Sequence, residues 1–380
     1  MKQVVYLDNS ATTRPCQQAI QNINCALVDM WGNPSSLYDM GFHAQQLVDG
    51  VRKSISTLLK CRQDEIYFTG SGTESNNTAI LGAAYARKKR GNRIVTTTVE
   101  HPSVLETIRR LENDGFEVVY LKPQSNGVIA IDDLKNAINK NTILVSIMLV
   151  NNETGAIQPI KEASNIIKQV GAPALLHCDA VQAFGKLPID INTSSVDLLS
   201  ASAHKIHGPK GVGILYVKKG VTIKPLITGG GQEKNLRSGT ESVTLIYGLG
   251  GAVDSIGNIS ESLKIQKELW TYAKNSLLQT GLVTINSADD VLPYILNVSV
   301  EGYRSETLLH FLESQGIYVS SGSACAKGEV SYVLREMGFN QKRVDSALRI
   351  SFSRDNTKAD VDALKDALIL ATQKLRRSIK

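Results

Sequence analysis

The sequence has no pair of cysteines spaced as in a metal or redox motif. Its five cysteines, at positions 16, 25, 61, 178 and 325, are odd in number and scattered through 380 residues. This distribution argues against a disulfide framework and against a zinc site, and it indicates a reducing compartment. We therefore expect no bound metal and a cytoplasmic location.

Long apolar runs are also absent. The longest run, Ile143 to Val150, is interrupted by Ser146 and falls far short of the roughly 20 residues that a membrane span needs. The N-terminal stretch MKQVVYLDNSATT has no apolar core followed by a small-residue cleavage site, so we expect no signal peptide. The sequence predicts no association with a membrane.

The charge balance and the glycine motifs exclude further classes. The net charge of +6, from 42 basic and 36 acidic residues, is mild for this length. Basic clusters at 87–90 and 374–380 are either solvated helix ends or contacts with an acidic partner such as RNA, and the signal is too weak to predict direct nucleic-acid binding. The sequence contains neither a Walker loop nor a complete GxGxxG fingerprint, which argues against ATP and NAD.

The pattern of apolar residues predicts the fold class. Near-continuous apolar runs alternate with amphipathic helical segments, which is typical of a mostly parallel central sheet covered by helices on both faces. The expected strands are 65–69, 93–99, 117–121, 142–150, 174–178, 197–200 and 213–217. The expected class is therefore α/β.

The pattern of predicted helices and strands changes after about residue 240. A long helical stretch, 242–278, leads into shorter strands at 283–285, 295–300, 317–319 and 347–352, and a last helix at 358–377. We expect a large α/β domain of residues 15–255. A smaller α+β domain would combine residues 1–14 with residues 256–380 and carry the loop around Cys325.

Ligands of open α/β sheets bind outside the carboxyl ends of the strands, so the residues that follow each strand are the candidates. Lys205 follows the strand at 197–200. It is either a solvated turn lysine or an amine held in a pocket, where desolvation favours the neutral nucleophile that forms Schiff bases with aldehydes.

The residues that follow other strands are further candidates for the same ligand site. The Gly70–Ser75 stretch is a capping box with a tight turn, or a phosphate site at a helix start. His101 is a helix cap, a core residue or a flat partner for a ring. Asp179 is an N-cap or a carboxylate facing a protonated ring nitrogen. Together these residues supply the groups that pyridoxal phosphate requires.

Two residues of the C-terminal part, Cys325 and Arg349, each have a structural and a functional interpretation. Cys325 lies in the stretch SSGSACAKG. It is a small buried thiol or, because glycines and Lys327 surround it, an accessible thiol in electropositive surroundings. Arg349 lies inside an apolar strand and needs an anionic partner, either an internal ion pair or a substrate carboxylate.

At this point the sequence resembles a known family. Nine motifs occur in order between residues 6 and 325: YLDNSATT, GNPSS, TGSGTESNN, EHPSV, NNETG, DAVQ, SASAHKIHGPKG, RSGT and SSGSAC. Together they resemble the cysteine desulfurases, class V aminotransferase-like enzymes with the fold-type I architecture of pyridoxal phosphate-dependent transferases. The resemblance covers nearly the whole chain.

The resemblance implies a role for each matched position. Lys205 would hold the cofactor covalently, Asp179 would pair with its ring nitrogen and Gln182 would bind its ring oxygen. His101 would stack on the ring and help to move protons. The phosphate would be held by Gly72, Thr73, Ser202, His204 and, from a second subunit of a homodimer, Thr240. Asn152 would lie near the ring oxygen and the substrate, and Arg349 would bind the α-carboxylate of L-cysteine.

The implied reaction releases L-alanine from L-cysteine and leaves a persulfide on Cys325. The sulfur would pass to an acceptor protein for tRNA thiolation, thiamine synthesis or iron–sulfur cluster synthesis. Two relatives of this activity, selenocysteine lyase and cysteine sulfinate desulfinase, share the cofactor site but depend less on Cys325. A third hypothesis is a cofactor-free scaffold that presents the cysteine loop to partners.

Two departures from the family pattern bear on the acceptor. Only six residues, Ala326 to Ser331, separate Cys325 from Tyr332, whereas members dedicated to general iron–sulfur assembly have a slightly longer loop. The sequence also ends at Lys380, where those members continue with a tail that docks the scaffold protein. We therefore expect a specialised acceptor, such as a tRNA-thiolating sulfurtransferase, in preference to an iron–sulfur scaffold.

Overall fold

The computed structural model describes residues 4–322 and 331–377. The strands in these residues are β1 (Val5–Tyr6), β2 (Ile66–Thr69), β3 (Arg93–Thr97), β4 (Glu117–Leu121), β5 (Thr142–Met148), β6 (Leu175–Asp179), β7 (Leu198–Ser202), β8 (Gly213–Val217), β9 (Thr284–Ile285), β10 (Ile295–Ser299), β11 (Ile317–Tyr318) and β12 (Ala347–Ser351). β2 to β8 form one sheet, and the other strands form two smaller ones. Each of the seven strands expected before residue 240 is present, with ends that differ by a few residues.

The helices alternate with the strands of the large sheet and continue into the C-terminal part. They are α1 (Gln17–Val28), α2 (Asp39–Leu59), α3 (Gly72–Arg87), α4 (Pro102–Asn113), α5 (Ile131–Ala137), α6 (Ile160–Val170), α7 (Ile191–Ser194), α8 (Val243–Asp254), α9 (Ile259–Leu278), α10 (Ser305–Ser314), α11 (Tyr332–Glu336), α12 (Gln341–Asp345) and α13 (Lys358–Lys374). In the described part of the chain, none of these helices is both long and apolar enough to cross a bilayer.

The large sheet has the strand order β2-β8-β7-β6-β5-β3-β4. All neighbours from β7 to β4 are parallel, and β8 alone runs antiparallel to its neighbours β7 and β2. The predicted mostly parallel sheet is confirmed. β4 lies on one side of β3, and β5 lies on the other, so the order reverses between β3 and β5, where ligands of such sheets bind.

Helices cover both faces of this sheet because successive strand residues point to opposite sides. Leu144 and Leu175 pack in one core with residues of α3 and α4. Their neighbours Val145 and Leu176 pack in the other core, which includes residues of α2, α6 and α8. These strands are therefore buried on both faces. Burial on both faces explains why their sequences are continuous apolar runs.

One expectation about the helices is wrong. The sequence predicts a single helix over 242–278, but α8 ends at Asp254 and α9 begins at Ile259. Gly257 has φ +68°, which glycine adopts readily, and the Asn258 side chain accepts hydrogen bonds from the N–H groups of Ser260 and Glu261. The glycine and the cap stop one helix and start the next.

The C-terminal part has a separate hydrophobic core. β12, β10 and β9 form an antiparallel sheet, and β1 pairs in parallel with β11. Val5 and Leu7 pack in this core with buried residues between 269 and 371. We retain as a proposal the division into a domain of residues 15–255 and a domain of residues 1–14 and 256–380.

A buried ion pair fixes the segment that follows β8. The Glu233 carboxylate accepts hydrogen bonds from Arg52 Nη1 (3.0 Å) and Nη2 (2.9 Å) and from the N–H of Phe68 (3.1 Å). Glu233, Lys234 and Asn235 all have positive φ values, of 44°, 56° and 66°, which are unfavourable for residues other than glycine. The ion pair therefore holds a strained turn against the start of the large sheet.

We expect Glu233→Ala to lower the free energy of unfolding by about 3–5 kcal/mol, because it leaves the buried Arg52 charge uncompensated. Glu106→Ala is the matched control: its ion pair with Arg109 is exposed on both sides and should contribute less than about 1 kcal/mol. Chemical denaturation of both variants measures the difference. Equal effects of the two substitutions would show that the Glu233 pair contributes no more than a surface pair.

Candidate active site

Loops at the carboxyl ends of the large sheet enclose a cavity of about 200 Å³. Most of the predicted site residues line it: Gly72, Thr73, His101, Asn152, Asp179, Gln182, Ser202, His204, Lys205 and Arg349. Met148 and Val150, at the end of β5, line it too. The cavity thus lies at the point where the strand order reverses.

The N-terminus of α3 forms one wall of the cavity. Ser71 caps the helix, its Oγ accepting a hydrogen bond from the N–H of Glu74 at 3.1 Å. The first N–H groups of a helix have no partner within the helix and favour an anion. A Cβ at Gly72 would lie 2.9 Å from Val181 Cγ2, so only glycine lets this helix start so close to the end of β6. The wall is suited to a phosphate.

Lys205 lies in a short 3-10 helix, Ala203–Lys205, directly after β7. Its Nζ donates hydrogen bonds to the carbonyl oxygens of Ser10 (2.5 Å) and Ala11 (2.8 Å). Burial and the Lys205 charge lower the pKa of His204 to about 4, so His204 is neutral at pH 7. An amine and a neutral imidazole therefore lie side by side at this strand end.

Asp179 ends β6 with hydrogen bonds to both of its carboxylate oxygens. Oδ1 accepts from the N–H of Val181 at 3.0 Å, and Oδ2 accepts from Asn76 Nδ2 at 2.8 Å. Within residues 4–322 and 331–377, no lysine, arginine or histidine forms a salt bridge with it. A buried carboxylate held only by neutral donors is a suitable partner for a cationic group of a ligand.

Two amides present oxygen atoms in the same cavity. Gln182 Nε2 donates to the carbonyl of Ser10 at 3.0 Å, which leaves Gln182 Oε1 as a buried acceptor with no partner among the described residues. Asn152 Oδ1 is likewise buried without a protein partner. Because a buried polar atom without a partner is costly, both oxygens indicate that a ligand completes the site.

His101 caps the N-terminus of α4, next to the cavity. Its Nδ1 accepts a hydrogen bond from the N–H of Ser103 at 3.1 Å. Burial lowers the pKa of His101, and the positive charge of Lys205 acts in the same direction, against the opposite influence of Asp179. The preceding residue, Glu100, is fully buried, and burial raises its pKa to about 8. Both groups are therefore predominantly neutral at pH 7.

Arg349 reaches the cavity from β12 and is almost completely buried. Its Nη2 forms an ion pair with Asp8 Oδ1 at 2.7 Å, and its Nη1 donates to the carbonyl of Asn152 at 3.1 Å. The internal ion pair that the sequence left open is therefore present. The guanidinium nevertheless lines the cavity, and its Nε is buried with no hydrogen-bond partner in the part of the chain that the structure describes.

Two predicted site residues lie elsewhere. Thr240 lines a neighbouring cavity together with Gly70 and Arg237, not the cavity that contains Lys205. Cys325 lies outside the described residues. The described residues on either side of it attach to the main site: the backbone of Ser320 pairs with that of Arg349, and Ser331 Oγ donates to Glu153 Oε2 at 2.5 Å.

The sequence did not identify several residues of the site. Ser10 and Ala11 bind Lys205, yet they lie 194 or 195 positions away in the chain. Asn76 lies one helical turn beyond Gly72, so the helical spacing from the glycine was a usable signal. Ser103 is the second residue after His101, a position from which a side chain can contact the residue that caps the helix.

Known proteins match this chain over nearly its whole length. The family model for class V aminotransferases matches residues 5–364. A cysteine desulfurase IscS from Methanosarcina thermophila is 42% identical over 376 residues, covering 98% of this chain and 93% of that protein. A cysteine desulfurase from a Nostoc species is 40% identical over 381 residues, covering 98% and 94%.

Solved structures agree with the sequence matches. A NifS-like protein superposes with a TM-score of 0.92 at 38% identity, covering 97% of this chain and 100% of that one. The fold, with its ligand cavity at the strand ends, is therefore that of the fold-type I enzymes. The chain belongs to the class V aminotransferase family and, within it, to the cysteine desulfurases.

Proposed function

We propose that this protein is a pyridoxal phosphate-dependent cysteine desulfurase that converts L-cysteine to L-alanine and passes the sulfur to an acceptor. One observation carries the proposal. A lysine amine, a carboxylate, an imidazole and a helix N-terminus converge on one cavity at the strand-order reversal. The family relationship and the cysteine bound to the related SspA structure, which is 33% identical with a TM-score of 0.81 over 93% of this chain and 99% of that one, support the same activity.

The residues present fit pyridoxal phosphate. Gln182 Oε1 and Asn152 Oδ1 are buried acceptors with no partner within residues 4–322 and 331–377, as expected where a ring with polar substituents binds. The N-terminus of α3, with Ser202 and His204, would hold the phosphate, and Asp179 would face the ring nitrogen. Lys205 would bind the aldehyde. When bound, pyridoxal phosphate supplies an electron sink for the carbon next to the substrate amine.

The side chains of the protein divide the remaining work. Arg349 binds the substrate carboxylate through its guanidinium, and Asn152 orients the substrate beside it. His101 would pack against the ring. Burial lowers the pKa of His101, so its imidazole is neutral and carries a single proton on one ring nitrogen. Lys205 would exchange a proton with the substrate carbon through Nζ.

Cys325 is the proposed sulfur acceptor within the chain. Its thiolate attacks the sulfur of L-cysteine, so that an S–S bond forms as the C–S bond breaks and the electron pair stays on carbon, which becomes alanine after protonation. The described residues nearest to it, Gly322 and Ser331, lie beside Glu153. Two residues lie between Gly322 and Cys325, and the three chain steps give a reach of up to about 10 Å. The thiol can therefore approach the substrate.

The persulfide would then be transferred to a thiol of an acceptor protein. We propose a tRNA-thiolating sulfurtransferase as the acceptor, with an iron–sulfur scaffold as the alternative. Transfer of sulfur from L-cysteine to each purified acceptor distinguishes the two. The four cysteines of the described residues are unpaired, which supports a reducing compartment, and we propose the cytoplasm.

We further propose that the protein is a homodimer. An apolar surface, here called the 27–42 surface, is exposed at the end of α1 and the start of α2: it includes Leu27, Val28, Trp31, Leu37, Tyr38 and Phe42. Trp31 is 67% exposed, which is unusual for a large apolar side chain outside an interface. A second copy that covers this surface would also explain Thr240, which would act on the phosphate of the partner's site.

Subunit complementation tests the shared site. Mixed Thr240→Asp and Lys205→Ala subunits should recover up to about a quarter of wild-type activity on subunit exchange, because half of the dimers then contain one intact site. Each variant alone should be nearly inactive, Thr240→Asp because its carboxylate repels the phosphate. Absence of recovery despite demonstrated exchange would place Thr240 in its own subunit's site.

Arg349→Lys is expected to raise KM for L-cysteine by roughly 10- to 100-fold with a smaller change in kcat, because lysine keeps the charge but loses the two-pronged contact to a carboxylate. Steady-state kinetics measure both constants. Asp8→Asn is the matched control, since it removes the ion pair and keeps the guanidinium. If Asp8→Asn raises KM as much as Arg349→Lys, the role of Arg349 is structural.

The overall function is tested by incubating the purified protein with pyridoxal phosphate, L-cysteine and a thiol reductant. We expect alanine and sulfide in equal amounts, accumulating over many turnovers. Alanine is measured by amino-acid analysis and sulfide colorimetrically. A protein that binds the cofactor but releases no alanine is not a cysteine desulfurase.

A further inference from the structure

A chain of hydrogen bonds joins His101 to Asp179 through two residues that have no role in the reaction described above. His101 Nδ1 lies 2.8 Å from Ser103 Oγ and 3.1 Å from Ser103 N. Asn76 Nδ2 donates to Ser103 Oγ at 2.9 Å and to Asp179 Oδ2 at 2.8 Å. Asn76 is 1% exposed and Ser103 is 9% exposed, so water does not compete freely for these contacts.

The donors and acceptors in this chain can be assigned by counting protons. The two hydrogens of Asn76 Nδ2 point to Ser103 Oγ and to the Asp179 carboxylate, which can only accept when ionised. The reversed amide would place Asn76 Oδ1 against that carboxylate, where two acceptors would face each other, and would lose the bond to Asp179. Ser103 Oγ therefore accepts from Asn76, and its own proton is left to donate to His101.

His101 Nδ1 consequently faces two donors. The N–H of Ser103 can only donate, and the Ser103 hydroxyl proton is directed to the same nitrogen. A nitrogen that accepts from two donors carries no proton of its own, so the neutral ring carries its proton on Nε2. Adding a second proton at Nδ1 would remove the acceptor of the Ser103 N–H and force the Ser103 hydroxyl to reverse its direction.

We propose that Ser103 and Asn76 are positioning residues that hold His101 as the neutral tautomer with its proton on Nε2 and tie the ring to Asp179. The inference deepens the role of His101 and rests on the proposed cofactor site. In this state His101 presents a donor from Nε2, not a base. A movement of Asp179, which would contact the cofactor, would then move the His101 ring with it.

The surrounding charges favour the same state. Burial and the cation at Lys205 disfavour the imidazolium, whereas Asp179 favours it. Glu100, next in the chain, is buried and has its pKa raised to about 8, so at neutral pH it adds little negative charge. The carboxylate of Asp179 is partly satisfied by Asn76 and Val181. The pKa of the ring is therefore expected to lie below the ordinary histidine value of about 6.5.

Nitrogen-15 NMR of the full-length protein labelled at histidine tests the proposal, with and without pyridoxal phosphate. The chain contains six histidines, and His101→Gln assigns the signal. We expect the two-bond proton–nitrogen pattern of an Nε2-protonated ring, which should persist at the pH of about 6.5 where an ordinary histidine is half protonated. In Ser103→Ala the pattern should shift towards a mixture of tautomers, and the pKa should rise. Asn76→Ala should shift it in the same direction.

Two variants serve as controls. Ser103→Thr keeps the hydroxyl and should retain the wild-type pattern. Thr107→Ala removes a buried hydroxyl that donates to the carbonyl of Ser103, without touching the ring, and should also retain it. A wild-type ring protonated at Nδ1, or a Ser103→Ala pattern and titration identical to wild type, would overturn the proposal.

The measurement depends on neither turnover nor bound cofactor. If the protein fails to release alanine but shows the Nε2-protonated pattern with the expected Ser103→Ala shift, the proposed function fails and the positioning role stands. If alanine is released but the tautomer is different, the positioning role fails alone.

Discussion

Lys205→Ala is expected to lose the absorbance of the lysine-bound cofactor, at about 400 nm, and to lower turnover of L-cysteine by more than about a thousand-fold. The amine is the one group at the end of β7 that can bind an aldehyde covalently. Ser202 and His204, on the same loop, remain to bind the phosphate. The variant should therefore keep weak, reversible affinity for pyridoxal phosphate while losing the covalent bond.

Two controls separate chemistry from folding. Lys210→Ala changes an exposed lysine on the same loop and should leave the spectrum and the activity unchanged. Lys205→Arg keeps a cation that can donate to the carbonyls of Ser10 and Ala11 but cannot bind an aldehyde. If Lys205→Arg folds and is as inactive as Lys205→Ala, the lost function is that of the amine. A Lys205→Ala protein that still shows the absorbance would place the covalent bond on another lysine.

Reduction with borohydride gives an independent readout. It should attach the cofactor permanently to the peptide that contains Lys205, which mass spectrometry of a digest identifies. Lys186 is the lysine that competes most closely, because it is almost fully buried and burial, with the charges of Lys205 and Arg349, lowers its pKa to about 7. A neutral amine is a nucleophile, so modification of Lys186 instead would overturn the assignment.

Much of the site could be predicted because the chain follows one topological rule. In an open parallel sheet, residues after the strands converge on one edge. His101, Asp179 and Lys205 are each found by locating apolar runs and looking just beyond them. The accuracy needed is low, since an error of one or two residues in a strand end does not move the candidate to another side of the sheet.

Contacts between distant parts of the chain had no such signal. Asp8 pairs with Arg349 because β1 joins β11 and Asp8 bridges to Ser351. The sequence placed Arg349 correctly in need of an anion but could not say whether that anion belonged to the protein or to a ligand. The structure supplies Asp8 and, within the described residues, leaves the Nε of Arg349 without a hydrogen-bond partner. The internal ion pair is therefore present, and a substrate carboxylate stays a prediction.

Helix ends were predictable only where the sequence marks them. The break between α8 and α9 depends on Gly257 and Asn258, and both residue types are ordinary stop and start signals. Apolar spacing on either side continued the helical period and concealed the break. Thr240 stays a prediction, because a residue that would complete a neighbouring subunit's site cannot be placed from one chain.

Cys325→Ala is expected to abolish sulfur removal from L-cysteine, by more than about a hundred-fold, while the absorbance of the bound cofactor and binding of L-cysteine persist. The residues proposed to bind the cofactor, such as Lys205 and Asp179, come from the large sheet and do not include this thiol. Cys25→Ala, a partly exposed and unpaired cysteine, is the matched control and should retain full activity.

The same variant discriminates between the desulfurase and its relatives. After wild-type protein reacts with L-cysteine, mass spectrometry should find one added sulfur atom on the Cys325 peptide, and a reducing thiol should remove it. Selenocysteine and cysteine sulfinate hold their leaving group more weakly, so Cys325→Ala should still release alanine from them. Retained turnover of L-cysteine by Cys325→Ala would rule out a persulfide on this residue and favour a selenocysteine lyase or a sulfinate desulfinase.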